Sequence, residues 1–170
     1  FLFEHKNQLK ELETCKNNLQ TQFVESVVKK LAETFDEEIW KIKFPKTGSY
    51  FQLFKDLPGW GAPVHFELYP TDRFPCESIQ VVLHTREGKN ARNNKTERLY
   101  NLQVEVEDYI QKKYGQKEFE IDYENGLELY NKSIDKVFSV LKDVVEKFTN
   151  IVDDEISLYT RENRSILSNK

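Results

Sequence analysis

Val64-His65-Phe66-Glu67-Leu68-Tyr69 and, after a polar connection, Ile79-Gln80-Val81-Val82-Leu83-His84 decide the fold. Side chains of an extended chain point alternately to its two faces. Val64, Phe66 and Leu68 therefore share one face of the first segment, as Ile79, Val81 and Leu83 do on the second. His65, Glu67 and Tyr69, with Gln80, His84 and Arg86, fall on the other. One apolar and one polar face is the signature of an antiparallel sheet packed on one side only. Upstream, Trp40, Ile42 and Phe44 alternate with Lys41 and Lys43. Pro45-Lys46-Thr47-Gly48-Ser49 then supplies turn chemistry before a second strand at 50–54. The Gly- and Pro-rich run 57–63 separates it from Val64, so four strands form a meander.

Helical periodicity flanks this sheet. Leu12, Leu19, Phe23, Val27, Leu31 and Phe35 recur at four- and seven-residue steps, which predicts a long N-terminal helix over 2–37. Lys16-Asn17-Asn18 is a point where it can break, because Asn competes for local backbone hydrogen bonds. Leu99, Leu102, Val106, Tyr109 and Ile110 predict an amphipathic helix over 97–114, closed by Gly115. Segments 119–123 and 127–130 flank Asn125-Gly126, a two-residue hairpin signal. Ser133 reads as the cap of a last helix, whose apolar positions run from Ile134 to Ile156. The expected class is α+β: a long N-terminal helix and an antiparallel sheet of four to six strands, with two further amphipathic helices on one face. The chain divides into an N-terminal helical segment (1–37), an α+β domain (38–159) and a polar tail (160–170).

The 170 residues are the length of one domain and bury enough surface to need no staple. Charged residues make up 32% and hydrophobic ones 38%, with aromatic side chains supplying large buried areas. The net charge of −4 names no partner for the whole molecule. Locally, residues 86–98 carry a basic excess and residues 117–128 an acidic one. Cys15 and Cys76 form neither a metal spacing nor a redox pair, which fits free thiols in a reducing, cytoplasmic setting. No apolar run is long enough for a membrane span. The chain begins at Phe1 and contains no Met, which reads as part of something longer.

Three constellations invite chemistry. Asp72 with Glu87 and Lys89 has the carboxylate…Glu-x-Lys order of a metal-dependent hydrolase, in which carboxylates hold the ion and the lysine assists the attacking water. The Glu and Lys fall in a polar turn rather than a strand, so no catalytic residue is assigned. His65, Glu67, His84 and Arg86 lie on the polar sheet face, where two His and a Glu can ligate a metal or a His–Glu pair can move protons. A one-residue slip in pairing would scatter them, and the expectation is a polar face of cross-strand pairs with no metal or cofactor. Lys89, Arg92, Lys95 and Arg98, spaced by three, can contact successive phosphates of a nucleic acid. Glu118, Glu120, Asp122 and Glu124 read as the charged side of an edge strand.

Taken as a whole, residues 3–156 resemble the C-terminal region of bacterial proteins of the PD-(D/E)XK nuclease superfamily. The resemblance is carried by Phe3-Glu4-His5, Gln8-Leu9-Lys10-Glu11-Leu12, Tyr50-Phe51-Gln52-Leu53, Trp60, His65-Phe66-Glu67-Leu68, Val81-Val82-Leu83-His84 and the helix from Leu99. It implies that the catalytic core lies upstream and that this region is a non-catalytic accessory or target-binding module. Its partners would be nucleic acid through 86–98 or protein through the N-terminal helix. A protein-interaction domain without a nucleic-acid role, and a hydrolase using Asp72, Glu87 and Lys89, are the alternatives.

Overall fold

The computed structural model describes residues 6–43, 50–71, 77–85 and 94–167. Helix α1 (Lys6–Thr34) leads into strands β1 (Trp40–Lys43), β2 (Phe51–Lys55), β3 (Val64–Pro70) and β4 (Ser78–Thr85). Helix α2 (Asn94–Tyr114), strand β5 (Glu118–Glu120) and helix α3 (Leu127–Leu167) follow. The five strands form one antiparallel sheet in the order β1-β2-β3-β4-β5. The fold is α+β, as expected.

Phe51, Leu53, Val64, Phe66, Leu68, Ile79, Val81, Leu83 and Phe119 are buried in one core with the apolar stripes of the three helices. From α1 come Phe23, Val27 and Leu31, with Phe35 just past its end; from α2, Leu102, Val106 and Ile110. The alternation that assigned the packed face in β3 and β4 holds at every position. Gly115 ends α2 with φ +74°, and its N–H bonds the Gln111 carbonyl, the left-handed cap that a residue without Cβ adopts most easily.

Several expectations need correcting. The longest helix is the C-terminal one, 41 residues against 29 for α1, and it continues through 160–167, where a polar tail was expected. Helix α1 is continuous through Lys16-Asn17-Asn18. The hairpin at Asn125-Gly126 does not form. Instead the Asp122 carboxylate accepts the backbone N–H groups of Glu124 and Asn125, folding the chain into a turn. Tyr130 N–H then reaches the Gly126 carbonyl, and residues 127–130 become the first turn of α3. Leu127 and Leu129 are exposed there, so no second strand has a face to bury. Ser133 lies inside this helix rather than capping it, accepting from the Asp122 N–H and donating to the Tyr130 carbonyl.

One loop ties the far end of α3 to the sheet. Trp60 Nε1–H donates to Asp153 at 2.8 Å, and Lys55 pairs with the same carboxylate. A Cβ on Gly59 (φ +94°) would stand 2.3 Å from Ile156 Cγ2, so only glycine lets the loop lie this close to the helix. The next residue but one, Gly61, turns its carbonyl toward the opposite face of the sheet.

Candidate metal centre

On the face away from the helices, β3 and β4 pair with His65 directly opposite His84. Glu67 lies two residues along β3 on the same face, and Gln52 of β2 stands opposite Glu67. This register is what the sequence left open, and it gathers His65, Glu67 and His84 into one cluster. His65 and Glu67 are only 2% and 5% exposed, while His84 remains half open to solvent. The expected wet face is dry at its centre.

The orientation of His65 is fixed at both nitrogens. Nδ1 lies 2.8 Å from the Gly61 carbonyl oxygen, which can only accept, so Nδ1 carries the proton. Nε2 then offers its lone pair, and the Gln52 amide nitrogen donates to it at 2.9 Å. The two imidazoles stack with centroids 4.8 Å apart. Glu67 Oε2 is 3.6 Å from His65 Nε2 and 3.8 Å from His84 Nδ1. Both separations exceed a hydrogen bond. Among the described residues, these two imidazoles are the only ionisable partners within ion-pair range of Glu67. Burial and the neighbouring His65 hold the pKa of His84 below its usual value, against the opposing pull of Glu67.

One donor atom from each of the three residues lies within 4.8 Å of the others. Donors around tetrahedral zinc, with bonds of about 2.0–2.2 Å, stand roughly 3.3–3.5 Å apart. Glu67 is thus a few tenths of an ångström too far from each ring nitrogen, and the whole set, which extends to 4.8 Å, has to contract around an ion by rotation of the exposed His84. Two neutral nitrogens and a carboxylate oxygen are a borderline donor set that suits zinc, cobalt or nickel better than calcium or magnesium. The Gly61 carbonyl plays the part that outer hydrogen-bond acceptors play for ligating histidines, fixing tautomer and ring plane. As a proton-transfer pair the same residues are poorly placed, because both nitrogens of His65 are engaged and Glu67 touches neither ring at hydrogen-bond distance.

Asp72, Glu87, Lys89, Arg86 and Arg92 lie outside the described residues. Lys95 belongs to the first turn of α2, with its side chain outside the description. Arg98 is exposed and pairs loosely with Glu155 at 4.0 Å. Glu118 and Glu120 sit on edge strand β5, where Glu118 accepts from Gln80. Two residues of the cluster went unnoticed in the sequence, Gln52 and Gly61. Alternation from Phe51 and Leu53 does put Gln52 on the polar face; only the strand register brings it to His65. No helix among the described residues is long and apolar enough to cross a membrane. Comparison with protein-family models, curated proteins and solved structures gives no match.

Proposed function

We propose that this domain is a binding module that holds one divalent transition-metal ion on the sheet face away from the helices, through His65 Nε2, Glu67 and His84. The observation that carries the reading is a buried carboxylate facing two imidazole nitrogens across gaps of 3.6 and 3.8 Å. Glu67 lies within ion-pair range of both rings yet hydrogen-bonds to neither, and a cation between them would partner the carboxylate and both imidazoles at once. Three protein donors leave further coordination positions on the His84 side, where solvent or a group from a target can complete the shell. In the setting implied by the nuclease resemblance, the ion would help an accessory module engage its target, while hydrolysis belongs to another part of the parent protein.

The test is a competition titration of chelator-treated protein with Zn²⁺ against a chromophoric chelator, on the parent and on His65→Ala, Glu67→Gln and His84→Ala. One equivalent should bind, and each variant should weaken binding by at least about tenfold. A parent that does not compete for Zn²⁺, or three variants that compete as well as the parent does, would sink the reading.

A further inference from the structure

Resting on that metal reading, we propose that Gln52 is a displaceable cap on the His65 ligand nitrogen, and that it sets the affinity of the site. With Nδ1–H committed to Gly61, His65 has a single lone pair, in the ring plane at Nε2. Gln52 Nε2–H occupies it at 2.9 Å. An ion bound to the same nitrogen would lie about 2.0–2.1 Å out along that lone pair. It would then sit roughly 1 Å from the amide nitrogen, far inside any contact distance, if Gln52 stayed in place. Amide and ion are therefore mutually exclusive, and loading exchanges one for the other.

The fold permits the exchange. Gln52 is only partly buried, and its carboxamide ends a flexible side chain on β2. Its backbone stays paired with Glu67 of β3 whether or not the side chain swings. Until an ion arrives the cap has a clear use: it satisfies a buried imidazole nitrogen that would otherwise lose a hydrogen bond. It also keeps the ring in the tautomer that a metal requires. The cost is a competitor at the ligand atom. The site is thus preorganised by one outer contact, Gly61, and gated by another, Gln52.

Two readouts test this. Removing the amide in Gln52→Ala should tighten Zn²⁺ binding about fivefold, the worth of one net hydrogen bond. In ¹H–¹⁵N spectra of the parent, one equivalent of Zn²⁺ should release the Gln52 side-chain NH₂ resonances from their bonded positions toward those of a solvated amide. Binding by Gln52→Ala equal to or weaker than the parent's would overturn the proposal, as would NH₂ resonances unmoved in a Zn²⁺-saturated parent. A parent that binds no Zn²⁺ fails at the earlier step and removes the metal reading itself.

Discussion

Two carboxylates, Asp143 and Glu67, show how the same group serves different ends in this molecule. Asp143, on α3, accepts from Tyr109 at 2.7 Å, Tyr114 at 2.9 Å and Lys113 at 2.6 Å. Its desolvation, which would raise the pKa, is outweighed by these hydrogen bonds, so the group is held below the usual carboxylate range. Glu67 is more deeply buried, yet its two imidazole neighbours stand beyond hydrogen-bond reach. The first is a closed knot joining α2 to α3. The second is a set of donors arranged around a point, which is what a cation needs.

The largest effect should come from the packed face on which Asp143 depends. Phe148, 3% exposed and edge-on to Tyr109, should cost about 3–5 kcal/mol as Phe148→Ala in urea unfolding. A loss under about 1 kcal/mol would mean that α3 is not core. Next, the open face should respond to metal: Zn²⁺ at 100 times its dissociation constant should stabilise the parent by about 2.7 kcal/mol. At the same Zn²⁺ concentration Glu67→Gln, binding at least about tenfold more weakly, should lose about half of that response or more. An equal thermal shift in both proteins would break the contrast between the two carboxylates.

Smaller again is Asp143→Asn, which leaves two tyrosine hydroxyls and a lysine without their anionic partner. It should cost roughly 1–2 kcal/mol at pH 7. The sign with pH follows from the lowered pKa: the stabilisation is present above the unfolded value of 3.8 and is lost as pH falls through the folded one. The parent and Asp143→Asn should therefore converge in stability as the pH is taken well below 3.8. A gap that persists there would assign the knot to packing instead of charge.

How much of this was legible depended on whether local pattern or long-range register carried the information. Strict alternation in 64–69 and 79–84 revealed both faces of the sheet and put His65, Glu67 and His84 on the same one. Nothing local could reveal that His65 faces His84, because the connection between the strands sets the register. Asn125-Gly126 misled for the opposite reason. Its turn signal is real, but the Asp122 side chain captures two backbone N–H groups there and directs the chain into a helix. Gly61 was visible only as loop chemistry; its role rests on a carbonyl, which no side-chain pattern reports.

The central claim is that one ion is held by His65, Glu67 and His84. X-ray absorption at the zinc edge, on protein carrying one equivalent of Zn²⁺, tests it most directly. The account predicts a first shell of nitrogen and oxygen at about 2.0–2.2 Å, with imidazole scattering for two rings that falls to one in His84→Ala. A shell containing sulfur, or one with the same imidazole count in parent and His84→Ala, would contradict it.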